Sequence, residues 1–142
     1  VWLGPLLGAI LSGIKDMHWT ILQVALGGAF GASARYMTGV GVVRLVGFQA
    51  MPLGVMVANV VGSFIMGVLV VYLGQRGLSH LNPFLMTGLL GGYTTFSAFS
   101  LESWTLFERG QIGLAALYVA LSVGLSLLGL ILGVWLMRWV LS

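Results

Sequence analysis

Four apolar stretches, parted by short polar or glycine- and proline-marked breaks, set the pattern of this chain. The first runs from about Trp19 to Val43, the second from about Pro52 to Leu73, and the fourth from about Ile112 to Leu136. The third opens at Pro83 and closes at Glu108-Arg109-Gly110. Each is long enough to carry the roughly 20 residues that a helix needs to cross a bilayer. The pattern therefore predicts four membrane-spanning helices. Proline suits the start of the second and third, because its missing N–H costs nothing in a first turn.

Polar positions inside these stretches are few and placed at helical spacing. Gly27 and Gly31 form a G-xxx-G pair in the first, the mark of a close helix contact. Arg35 lies deeper in the same span and has two readings, a snorkelling interfacial arginine or a fixed positive charge at a vestibule. In the second span Asn59 is the one strongly polar side chain, with Ser63 a turn later and a small pair, Ala58 and Gly62, beside it. An amide at that depth either bonds across to another helix or faces a cavity. In the fourth span Tyr118, Ser122 and Ser126 recur every fourth residue, and Gly129 and Gly133 continue the stripe. Trp135, Arg138 and Trp139 close that span as an aromatic and basic belt.

The third span departs most from plain membrane filler. Its stretch Thr87 to Glu102 reads TGLLGGYTTFSAFSLE, with Gly91-Gly92 followed by Thr94, Thr95, Ser97 and Ser100. Lipid offers no partner to a freed backbone N–H or C=O, so a broken helix survives only in protein or beside a water-filled path. A break in the third helix is expected here, and with it the functional site. Glu102 is the only acid placed to lie within a span. Its preferred role is a structural bond to Arg35 or to a helix N-terminus, with proton relay second.

Residues 1–16, VWLGPLLGAILSGIKD, are apolar up to Ile14, a run too short to span. Met17 stands just ahead of the first span, and no basic region precedes the apolar run as a signal peptide requires. The preferred reading is an N-terminal extension outside a channel domain of residues 17–142, and the alternative is an interfacial helix.

Composition agrees with the hydropathy pattern. Of 142 residues 59% are hydrophobic and 6% charged, against roughly 25% charged in soluble domains. Mean hydropathy is +1.08. The 22 glycines point to close helix packing, and the absence of cysteine excludes disulfides and thiolate chemistry. No basic cluster exists for nucleic acid. With four spans, Lys15, Arg76 and Arg138 fall on one side, and Arg44 and Arg109, with Arg35 near them, on the other. The positive-inside rule needs an imbalance to fix orientation. Near balance predicts dual topology, in which opposite copies pair as an antiparallel homodimer, a two-chain counterpart of an inverted repeat.

No enzyme constellation is present. There is no carboxylate pair for acid–base work, no metal-ligand cluster and no phosphate-binding loop. The span-buried polar set is Asn59, Thr94, Thr95, Ser97, Ser100, Tyr118, Ser122 and Ser126. Each can donate a hydrogen bond and none is a carboxylate, which suits an anion. Phe96 and Phe99, three apart, are either core packing or ring edges facing an anion, since an aromatic edge is electropositive. Such edges hold an anion without the fixed charge that would trap it.

The stretch TGLLGGYTTFSAFSLE resembles the signature of the Fluc (CrcB) fluoride channels, close to TG-x-x-GG-x-TTFSTFS-x-E. The resemblance extends over nearly all of Met17 to Leu141, including Arg35, the segment VANVVG around Asn59, and the hydroxyl stripe of the fourth span. Ala98 departs from it, standing where the pattern usually has threonine. The resemblance implies an all-α membrane protein of the bacterial inner membrane, a four-span antiparallel homodimer that exports fluoride passively through two pores. It implies Phe96 and Phe99 as pore phenylalanines, Asn59 as the pore asparagine, and Ser97, Ser100, Tyr118, Ser122 and Ser126 as polar lining. It also implies a structural Na⁺ on the two-fold axis, held by the main-chain carbonyls of Gly91 and Thr94 from each copy. Two rivals are weighed beside it. A small dual-topology multidrug exporter needs a carboxylate deep in the first span, and residues 19–43 contain none. A non-transporting membrane scaffold would use the polar stripes for packing alone.

Overall fold

A computed structural model describes the backbone of residues 3–142 and the side chains at residue 13 and from residue 16 onward. Helix α1 covers Leu3–Val46 and passes unbroken through Asp16 and Met17. Its 44 residues give a length of about 66 Å at 1.5 Å per residue. Helix α2 covers Leu53–Gln75. A 3₁₀ turn at Ser79–Leu81 leads into α3, which winds as wide π turns over Pro83–Leu90 and as α-helix over Gly91–Tyr93. Helix α4 is Phe96–Glu108 and α5 is Ile112–Leu141. The four predicted apolar stretches are all helical.

Glycine ends three of these helices. Gly47, Gly77 and Gly110 each take positive φ, near 70° (73°, 67° and 74°), a conformation that a side chain disfavours. After Gly77 the Leu78 N–H reaches back to the Leu73 carbonyl at 2.9 Å, and after Gly110 the Gln111 N–H reaches Leu106 at 3.0 Å. Both are six-to-one closures that satisfy the last orphan carbonyls.

Packing follows the small residues. Helix α1 lies on α3, and α2 lies on α5. Gly27 and Gly31 face the backbone of α3 directly, at the carbonyls of Phe84 and Leu89. The G-xxx-G face read from the sequence is therefore the α1–α3 contact. Gly67 fits against Leu130 and Val134, while Gly129 and Gly133 fit against Val60 and Phe64, so glycines on both partners bring α2 and α5 together. Around Phe99, Leu106, Ala115 and Tyr118 a small core joins α4 to α5. Outside these contacts the surface is apolar: Leu127, Leu128, Leu132 and Trp135 are each more than half exposed along α5. Among the described residues, Leu53–Gln75 and Ile112–Leu141 are long and apolar enough to cross a membrane.

The α1–α3 contact makes a direct prediction. A Cβ on Gly31 would press into the Leu89 carbonyl and lie 2.8 Å from the Tyr93 nitrogen, both backbone atoms that cannot swing aside. One on Gly28 would sit 3.9 Å from its nearest neighbour, an ordinary contact. Gly31→Val is expected to lose roughly 1–3 kcal/mol or more through overpacking, and Gly28→Ala almost nothing. Thermal melts of the detergent-solubilised variants test this, and equal melting of the two would refute the packing account.

Candidate functional site

The site is built on the step between α3 and α4. Helical hydrogen bonding ends as the Thr94 N–H bonds the Leu90 carbonyl at 2.9 Å. Thr94 and Thr95 then take extended backbone, φ −88° with ψ 154° and φ −152° with ψ 124°. A continuous helix would send the Thr95 N–H to the Gly91 carbonyl. Instead it donates to Asn59 Oδ1 at 2.7 Å, while Asn59 Nδ2 donates to the Thr95 carbonyl at 3.0 Å. One amide on α2 thus replaces the ladder partner of the Thr95 N–H and adds a donor to the Thr95 carbonyl, which as N-cap also opens the α4 ladder.

The second half of the step is an N-cap. Thr95 Oγ1 accepts the Ala98 N–H at 3.2 Å, so α4 begins with a capped turn. Ser97 Oγ lies 3.2 Å from the same oxygen. The carbonyls of residues 91–94 lose their helical donors at the step, those of Gly91 and Thr94 to identified competitors. The Thr95 N–H has gone to Asn59 and the Ala98 N–H to the Thr95 side chain, which frees Gly91 and Thr94. Gly62 makes room for this step, since a Cβ there would meet the Thr94 methyl and the Tyr93 ring.

Beside the step, α2, α4 and α5 enclose a groove of about 340 Å³. It gathers Asn59, Thr94, Thr95, Phe96, Phe99, Ser122 and Ser126, with Met66, Leu127 and Leu130 as apolar wall. Phe96 and Phe99 stand with ring centroids 5.4 Å apart at 51°, and Phe99 continues onto Tyr118 at 5.7 Å. Phe99 is 8% exposed and Phe96 77%. One ring is core, and the other reaches outward from the chain.

Three of the sequence candidates fall elsewhere. Tyr118 is fully buried and donates to Glu102 Oε2 at 2.5 Å, which turns its hydroxyl away from the groove. Ser100 lines a second groove on the far side of Phe99, with Ser103 and Trp104. Ser97 is exposed at the start of α4. The bond expected of Glu102, to Arg35 or to a helix N-terminus, is corrected: among the described residues its carboxylate instead takes its bond from Tyr118, one helix away, and Arg35 Nε is buried without a partner. Arg35 and Glu102 do share a cavity of about 880 Å³ with Arg44, between the end of α1 and the Gly47–Pro52 loop.

The hydroxyls differ further in whether their protons are already committed. Thr94 Oγ1 donates to the Leu90 carbonyl and Ser100 Oγ to the Phe96 carbonyl, both at 2.9 Å. Tyr118 is committed to Glu102. Ser122 is 4% exposed and its Oγ has no partner. Asn59 Nδ2 carries two protons, of which the Thr95 carbonyl takes one. The uncommitted donors on the groove therefore include Ser122 and the second Asn59 proton.

The sequence profile of the CrcB-like protein, Camphor Resistance (CrcB) family matches residues 22–134. The chain belongs to the CrcB family. A protein of Cereibacter sphaeroides named Fluoride-specific ion channel FluC is 66% identical over 119 residues, covering 84% of this chain and 94% of that protein. Proteins of the same name from Roseobacter denitrificans and Ruegeria sp. (strain TM1040) are 60% and 58% identical, over 85% and 87% of this chain. They cover 97% and 98% of those two proteins. The matched span in this CrcB chain contains Arg35, Asn59, the Thr94–Thr95 step and the hydroxyls of α5. With its apolar exterior and its CrcB membership, the protein is a membrane protein.

Proposed function

We propose that the chain is a passive fluoride-selective channel, not an enzyme, that exports fluoride across the bacterial inner membrane and so relieves its toxicity. The observation that carries this reading is the single groove in which Asn59, Phe96, Phe99, Ser122 and Ser126 meet without a carboxylate. Relatives named as fluoride-specific ion channels at 58–66% identity support it. Fluoride is small and tightly hydrated, so a path must replace strong water contacts with well-placed donors. Asn59 and Ser122 supply uncommitted donors, and the phenylalanine edges supply weak positive potential at the narrow steps. Chloride, larger and a weaker acceptor, gains less from the same groups.

The working unit in this reading is an antiparallel, dual-topology homodimer of four-span copies, with two pores built by both. The level charge count supports either insertion. The face carrying Gly91, Phe96, Ser97 and Ser100 is exposed in the single chain. Hydroxyls and a free ring on one side of a bilayer helix favour a protein partner over lipid. Within such a pair Arg35 and Glu102 supply charge at a vestibule, Ser97 and Ser100 complete the polar wall, and Tyr118 backs it by holding Glu102.

The same reading places a structural Na⁺ on the two-fold axis. The donor set fits it: the Gly91 and Thr94 carbonyls are released from the ladder and remain as oxygen acceptors beside the step. Among the described residues no His, Asp or Glu cluster competes for a metal. The cation would supply positive charge that holds the carbonyl ends of two copies together.

Fluoride efflux from liposomes holding the purified protein tests the function, with a chloride gradient as control. Rapid fluoride efflux without chloride leak is expected. A folded dimer that passes neither ion would refute it.

A further inference from the structure

Tyr93 is the last helical residue before the extended step, and it is held from two sides. Its hydroxyl lies 3.0 Å from Thr38 Oγ1 on α1. Thr38 Oγ1 already donates its one proton to the Ala34 carbonyl at 3.0 Å, so in this bond the tyrosine is the donor. On the other side the ring enters the slot opened by Gly62 on α2, where a Cβ would stand 3.1 Å from Cδ1. Two residues later Asn59 fixes both polar atoms of the Thr95 backbone. Thr94 is the single residue between these two pins. Its carbonyl, with that of Gly91 two residues before Tyr93, is among those freed from the helical ladder.

We propose that Tyr93 is a positioning residue for the Gly91 and Thr94 carbonyls, acting through the hydrogen bond it donates to Thr38. This rests on the cation reading given above and extends it to α1. Asn59 accepts the Thr95 N–H, which shares one planar peptide with the Thr94 carbonyl, and so by itself sets the direction of that carbonyl only. With the Tyr93 hydroxyl tied to α1 as well, the end of α3 that carries the Gly91 carbonyl is held too, and the two carbonyls keep one arrangement. Tyr93 therefore makes the carbonyl set pre-formed, so that a bound cation need not order it.

The test uses four variants in the full-length protein: Tyr93→Phe, Thr38→Val, the two combined, and Thr38→Ser, which keeps the hydroxyl. Protein equilibrated at graded Na⁺ is assayed for fluoride efflux, and amide hydrogen exchange is followed over residues 94–98. Tyr93→Phe and Thr38→Val are each expected to raise the half-maximal Na⁺ about fivefold, the effect of one neutral hydrogen bond. Efflux at saturating Na⁺ should be unchanged. The combined variant should show no further rise, because both changes remove one bond. Thr38→Ser should match the unsubstituted protein, and exchange over residues 94–98 should quicken several-fold in the first three variants only.

An unchanged Na⁺ requirement or unchanged exchange in Tyr93→Phe would overturn the proposal. So would effects that add in the combined variant. Fluoride efflux indifferent to Na⁺ in the unsubstituted protein would instead defeat the cation reading, and the proposal with it.

Discussion

Phe96→Ile is expected to cut fluoride efflux by about a hundredfold or more, equivalent to roughly 3 kcal/mol added to the barrier. Isoleucine retains apolar bulk but has no electropositive ring edge, so an ion leaving its water meets nothing in return. Phe96 isolates this effect well, because in the single chain it is 77% exposed and contributes little to the core. Phe99→Ile should abolish efflux too, at an added cost to stability. That ring is buried between Phe96 and Tyr118, and a smaller side chain leaves a void there. Size-exclusion profiles should show both variants still assembled. Wild-type efflux from Phe96→Ile would remove the rings from the conduction path.

The second large effect is at Asn59. Asn59→Leu takes away the acceptor for the Thr95 N–H and the donor to the Thr95 carbonyl together. The part-buried Thr95 N–H left unpaired would cost roughly 1–3 kcal/mol, while the Thr95 carbonyl, as N-cap, keeps its place at the start of the α4 ladder. The chain has one escape, which is to let the Thr95 N–H return to the Gly91 carbonyl and continue the helix through the step. Either outcome reshapes the groove, and the continued helix also withdraws the Gly91 carbonyl, so efflux should vanish. Asn59→Asp keeps the acceptor but sets an oxygen against the Thr95 carbonyl, and should also fail. Amide exchange at Thr95 distinguishes the outcomes: faster exchange signals an unpaired group, slower exchange a repaired helix. Normal efflux and unchanged exchange in Asn59→Leu would show that the amide does not hold the step.

The phenylalanines and the asparagine are legible in the sequence for different reasons. Phe96 and Phe99 stand out in the sequence because paired rings are unusual among glycines and hydroxyls. Asn59 stands out as a lone amide at membrane depth, and both of its sequence readings, bond across helices or cavity wall, describe its position. The amide ties α2 to Thr95 and also borders the groove.

Hydropathy, helical spacing and small-residue pairs settled the four helices and the α1–α3 face at Gly27 and Gly31, since these depend on which residues lie on one side of a helix. Periodicity fixes a face; it does not fix what that face meets or which way a side chain turns. Tyr118, Ser122 and Ser126 share one stripe, yet Tyr118 spends its proton on Glu102 while Ser122 keeps its own. Arg35 and Glu102 reach the same cavity without pairing, because the Tyr118 hydroxyl is the donor within reach of the carboxylate. Tyr93 and Thr38, 55 residues apart, carry no signal along the chain that they touch. Partners of this kind are set by how closely the helices approach, which glycine contacts determine only once the helices have packed.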